Sequence, residues 1–198
     1  MKKLAFLALS VFVVASMSAS VMANDVVVAS DAAGTSAEVV TPGFATFNLY
    51  VIGQEIGQVT GWEIGMAVPA GWTVLLRTVN NGPGVNPGGD DNYLIGLGNC
   101  YGDAGMDYLF VTYNMGFFGG PVAPQDAVFC LIPPNGGLPP ASGFFAYTSC
   151  QNQIVPMGAG NLSCDGGTTA DGCAVINPSS RCVVATEPST WGAVKAAY

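Results

Sequence analysis

From residue 44 to residue 185 the apolar side chains come in short runs, and clusters of Gly, Pro and Asn break one run from the next. Within the runs the period is two. Trp62, Ile64, Met66 and Val68 alternate with Glu63, Gly65 and Ala67, and Leu109, Val111, Tyr113 and Met115 repeat the pattern. A helix would bring its apolar residues back every three or four positions, so this spacing predicts half-buried strands. The breakers are long at residues 80–89 and 133–140, where Pro, Gly and Asn dominate. Roughly nine or ten short strands separated by such turns predict an all-β, antiparallel β-sandwich. The domain is expected to span residues 44–186. Residues 24–43 form a leader or a first strand, and 187–198 a tail in which Pro188, Ser189, Trp191, Val194 and Ala197 outline a short C-terminal helix.

The first 23 residues read as a signal peptide. Lys2 and Lys3 precede an apolar stretch over residues 4–14, and Val21-Met22-Ala23 offers a small-residue cleavage site. Six cysteines follow, at 100, 130, 150, 164, 173 and 182. An even count behind a signal peptide predicts disulfides, and no CxxC pair is present to favour a metal. Cys164 and Cys173 enclose a turn-rich loop and are the pair expected to close locally. The protein is therefore expected outside the cytoplasm: secreted, periplasmic or on the cell surface.

Composition removes several chemistries. There is no histidine, so catalysis by Ser-His-Asp or Cys-His pairs and imidazole ligation of a metal are excluded. Charged residues make up 9% of the chain, against about 25% in an ordinary soluble domain. Thirteen acidic residues face five basic ones, two of which lie in the signal peptide, which makes nucleic acid a poor partner. Half the chain is apolar, enough for a packed core rather than disorder.

Val59-Thr-Gly-Trp-Glu-Ile-Gly-Met66, followed by Pro69-Ala-Gly-Trp-Thr-Val-Leu75, resembles the opening of cohesin-type and related carbohydrate-binding sandwiches. The resemblance implies an immunoglobulin/cohesin-like or jelly-roll sandwich that binds a polysaccharide or a protein. Ser189-Thr-Trp-Gly-Ala-Val-Lys195 is similar to a Trp-Gly-x-Val-Lys tail on exported bacterial proteins, which implies a C-terminal sorting module.

Two candidate sites remain. Asp90, Asp91, Asp103 and Asp107, with Asn92 beside them, supply the hard oxygens that calcium takes, and loops at one end of a sandwich can gather them. Tyr101 and Tyr147 lie near turns or strand ends, where an exposed ring could serve as a sugar platform. Glu55, Glu63, Asp103 and Asp107 are the carboxylates from which a glycosidase pair would be drawn, but alternation turns Glu63 to solvent. No catalytic residue is expected, nor any cofactor other than calcium. The function expected is structural, adhesive or binding. A carbohydrate-binding module and a small outer-membrane β-barrel stand as alternatives.

Overall fold

The alternation at residues 62–68 becomes the two faces of one strand. Trp62, Ile64 and Met66 are buried, while Glu63 and Ala67 are half-exposed. The computed structural model describes residues 24–81, 86, 88–136, 145–164, 167–168 and 171–179. All regular elements among them are strands: β1 (Asp25–Ala29), β2 (Glu38–Val39), β3 (Thr46–Gln54), β4 (Val59–Ala67), β5 (Thr73–Val79), β6 (Asn92–Tyr101) and β7 (Tyr108–Gly116). They continue with β8 (Ala127–Ile132), β9 (Phe145–Ser149), β10 (Ile154–Ala159), β11 (Ser163–Cys164), β12 (Gly167–Thr168) and β13 (Cys173–Ile176). The expected signal peptide and the expected C-terminal helix lie outside the described residues.

Hydrogen bonding links eleven strands in the order β2-β13-β8-β4-β9-β10-β1-β3-β7-β5, with β6 along the other edge of β4. Among the described residues the path has two ends, β2 and β5. Its faces nonetheless meet. Five strand steps separate β4 from β7, about 24 Å in a flat sheet, yet the rings of Trp62 and Phe110 are 5.0 Å apart. The sheet therefore folds over, and the core lies inside the fold. Tyr113 reaches Phe129 of β8 at 4.9 Å in the same way. The bend passes through β1 and β10, where small residues allow close approach: a Cβ on Gly160 would lie 2.8 Å from Val27.

Pairing is antiparallel except at two places. β1 runs parallel to β10, and β2 parallel to β13. This corrects the purely antiparallel expectation. Periodicity reports which face a residue takes but not which distant strand it meets, and these partners are more than a hundred residues apart. The undecided segment at the N-terminus is settled as well. β1 is an interior strand between β3 and β10, with four of its five residues buried.

Among the described residues two disulfides are formed. Cys130 and Cys173 sit opposite one another on β8 and β13, with Cα atoms 4.1 Å apart. Cys100, at the end of β6, joins Cys150 in the turn after β9, with Cα atoms 5.5 Å apart. The expected Cys164–Cys173 pair is thus overturned. Cys173 opens β13, whose register with β8 places it against Cys130 rather than against its neighbour nine residues back. The sulfur of Cys164 and all of Cys182 lie outside the described residues.

Candidate ligand-binding site

The four aspartates proposed for calcium do not converge. Asp90 and Asp91 precede β6, and Asp103 and Asp107 follow it. Asn92 pairs with Gly65 and Tyr101 with Val59, so six residues of β4, about 20 Å, separate the two groups. Each group also has other work. Asp91 accepts two hydrogen bonds from the Arg77 guanidinium, at 2.8 and 2.7 Å, and one from the Tyr113 hydroxyl at 3.0 Å. Asp90 lies 3.8 Å from the same guanidinium. Asp107 accepts the backbone N–H of Glu55 at 3.0 Å, and the Asp103 carbonyl accepts that of Met106. Among the described residues no three Cys, Asp or Glu side chains gather in a way that could hold a metal ion.

The Arg77–Asp91 pair has a consequence for pH. Arg77, the one basic residue among those described, lies over the Tyr113 ring at 5.9 Å. Burial pushes the Tyr93 phenol up to about 12. Burial, with Tyr93 and the Asp91 carboxylate beside it, raises Tyr113 higher still. A phenol that holds its proton more tightly when folded contributes stability that is fully present below its unfolded value near pH 10. That stability is lost as pH rises through the folded value. Unfolding free energy is therefore expected to fall between about pH 10 and 12, by roughly 1.4 kcal/mol per pH unit for each such phenol. Urea melts at stepped pH measure the slope, and Tyr113→Phe should remove one proton's share of it.

Neither tyrosine proposed as a sugar platform is a flat exposed ring. Tyr147 is 7% exposed and stands opposite Trp62 in the β4–β9 ladder. Directly paired residues share a face, so Tyr147 points with Trp62 into the core. Burial raises its phenol accordingly. Tyr101 is half-buried and packs against the core. Of the carboxylates considered for hydrolysis, Glu55 and Asp107 meet in turns at one end, and Glu63 lies in the middle of β4.

Glu63 opens onto a feature that periodicity did not bring forward. On the outward face of β4, Gly61 pairs directly with Gly96 of β6, and Thr148 of β9 lies on the other side of Gly61. One row along, Glu63 stands between Leu94 and Ala146. Two adjacent strands thus place glycines side by side where side chains would normally stand. The result is a trough of about 380 Å³, with Glu63, Leu94, Thr60, Thr148 and Gly136 around its glycine floor. The two glycines differ. A Cβ on Gly61 would meet the Ile95 carbonyl at 2.5 Å, whereas one on Gly96 would meet nothing within 4 Å. Gly61→Ala is accordingly expected to destabilise the fold by about 1–3 kcal/mol, and Gly96→Ala to leave it unchanged or slightly firmer. Thermal melts of the two variants separate these outcomes. The signal in the sequence was Gly61 at an outward position inside a strand, a place where another molecule or backbone approaches closely.

At the end of the trough the ladder is irregular. Residues 97–100 of β6 face Thr60 alone, and the Thr60 hydroxyl donates to the carbonyls of Thr148 and Ser149. The Cys100–Cys150 disulfide then ties β6 to the turn after β9 beyond that irregularity.

No protein-family model matches the chain, and neither does any curated protein. Among solved structures it is similar to the cohesin module of a family 33 glycoside hydrolase from Clostridium perfringens. The identity is 11% and the TM-score 0.45, over 78% of this chain and 96% of that one.

Proposed function

We propose that the chain is an exported β-sandwich, immunoglobulin/cohesin-like or jelly-roll in class, that binds a sugar unit in the glycine-floored trough and catalyses nothing. The trough carries this reading. Its volume falls within the ~300–1,000 Å³ of small-ligand sites. A carboxylate such as Glu63 can accept hydrogen bonds from two neighbouring hydroxyls, the Thr60 hydroxyl can accept another, the Thr148 hydroxyl can donate or accept, and Leu94 offers an apolar edge to a ring. Glycoside hydrolysis would take two carboxylates roughly 5–9.5 Å apart, and among the described residues that line the trough Glu63 is the one acidic side chain. The two disulfides support a working place in an oxidising compartment, at the cell surface or beyond it.

A glycan array probed with protein purified from an export-competent host tests this reading. Wild-type protein is expected to retain a restricted set of neutral glycans. A Cβ at Gly96 would meet nothing within 4 Å, so Gly96→Leu is expected to narrow the trough and lose at least tenfold in affinity at unchanged melting temperature. Glu63→Gln keeps the shape but weakens the acceptor, and a loss of about tenfold is expected. An empty array, or equal binding by Gly96→Leu, would overturn the proposal.

A further inference from the structure

On the opposite face of the molecule lies a surface that no part of the trough uses. The register aligns three strands, β3, β7 and β5, so that Thr46, Gly116 and Thr73 form one outward row and Asn48, Asn114 and Leu76 the next. A third row holds tyrosine and threonine. None of these outward positions carries a charge, on a chain with thirteen acidic residues. Gly116 leaves room that a ring takes: a Cβ there would lie 2.9 Å from Phe118, so this phenyl group lies over the strand. Phe118 is 44% exposed and Leu76 60%. Leu75, the extra residue of a bulge in β5, is also exposed.

Phe44, whose N–H donates to the carbonyl of Phe117, the residue before Phe118, is 61% exposed and held at φ 61°. A bulky residue in the left-handed region is strained. Here that strain keeps an aromatic side chain in water, which is a second cost unless something covers it. In the same row as Leu76, Asn114 donates from its side-chain amide to the side-chain carbonyl of Asn48 at 2.9 Å, which orders the two amides. Exposed aromatic and aliphatic side chains beside uncharged amides and hydroxyls, with no charge among these outward positions, suit a protein interface.

From this surface we infer that two copies of the chain associate through the outer face and free edge of β5, around Phe118, Leu76 and Phe44. The occupant follows from charge and symmetry. Copies of an acidic protein repel one another wherever their carboxylates meet, and this face has none. A two-fold interface sets a patch against itself. Apolar side chains suit their own kind, and asparagine and threonine each donate and accept, so the rim is self-complementary as well. β5 ends the hydrogen-bonded path and contains neither Pro nor Lys, the residues that commonly block edge pairing. Arg77, its one charge, is held by Asp91. The exposed carboxylate of Asp90 lies 3.8 Å from the same guanidinium, which partly offsets it.

Sedimentation velocity on the full chain from an export-competent host, between about 1 and 500 µM, reads the association directly. Wild type is expected to shift from monomer to dimer with concentration. Leu76→Glu places two like charges across the two-fold and is expected to weaken the dimer at least tenfold while the melting temperature of the monomer holds. Phe118→Ser should weaken it independently, and Gly96→Leu, on the other face, should leave it intact. A single monomeric species throughout, or a dimer indifferent to both Leu76→Glu and Phe118→Ser, would overturn the inference, even if glycans still bind in the trough.

Discussion

Reduction with excess dithiol is expected to lower the melting temperature of the protein by some 15–30 °C, or to unfold it outright at room temperature. The two bridges close loops with sequence separations of 43 and 50 residues. In the chain-entropy description each such loop removes about 4 kcal/mol of disorder from the unfolded state. Together they approach the whole 5–15 kcal/mol that holds a typical domain, and at this chain length one kcal/mol moves the midpoint by roughly 2–4 °C. The bridges are not equivalent in place. Cys130–Cys173 fastens β13, and with it the parallel strand β2, to the remainder of the sheet through β8. Its removal as Cys130→Ser/Cys173→Ser is expected to release that edge first, seen as early hydrogen exchange at residues 173–176. Cys100–Cys150 ties down the irregular end of β6, and Cys100→Ser/Cys150→Ser is expected to loosen the trough before the core. A melting curve unmoved by full reduction, with the thiols titrated, would contradict both expectations.

The second large effect is expected at Asp91. Arg77 and Tyr113 both bring donors to its carboxylate, and its own carbonyl accepts the N–H of Met66. One residue at the mouth of β6 therefore joins β5, β7 and β4. Asp91→Ala leaves a guanidinium and a buried hydroxyl without their acceptor, and it puts alanine at φ 59°. Removing one partner of a buried ion pair costs about 3–5 kcal/mol. Both side chains keep about a quarter of their exposure, so about 3 kcal/mol is expected here. Asp91→Asn still accepts from Tyr113, and asparagine tolerates the left-handed backbone, so about half that loss is expected. A double-mutant cycle with Arg77→Met should return a coupling of about 1–2 kcal/mol. A coupling near zero in urea melts would reduce the pair to surface decoration.

How far the fold could be read from the chain depended on which physical signal each element carried. β3, β4, β5, β7, β8, β9 and β13 lie within a residue or three of the apolar runs that predicted them, because in a half-buried strand alternation and burial are one fact. β10 carried no such signal. It reads Ile-Val-Pro-Met-Gly-Ala, and a proline inside a run argues against a strand. Pro156 is accommodated because β1 joins β10 only from Gly158 onward. Pairing partners and disulfide connectivity were illegible for a different reason. They are set where distant segments meet, and local spacing even pointed the wrong way for Cys173.

The site was legible only in outline. Acidic residues close in sequence suggested a cation site, but a strand carried them to opposite ends, and Arg77 took one of them. Tyr147 looked exposed by its nearness to a turn, while its register against Trp62 turned it inward. Glu63 was correctly read as facing out. That it faces a trough depends on Gly61, Gly96 and Thr148 falling into one row, which requires the registers of three strands at once.

Amide chemical-shift mapping tests ligand binding in that row most directly. Isotope-labelled protein from an export-competent host would be titrated with the glycan it retains best on the array. The largest shifts are expected at Gly61, Gly96 and Thr148, followed by Glu63 and Leu94, with Asn48 and Asn114 on the opposite face unmoved. Shifts gathered around Phe118 and Asn114 instead, or none at saturating glycan, would contradict a ligand seat on β4, β6 and β9.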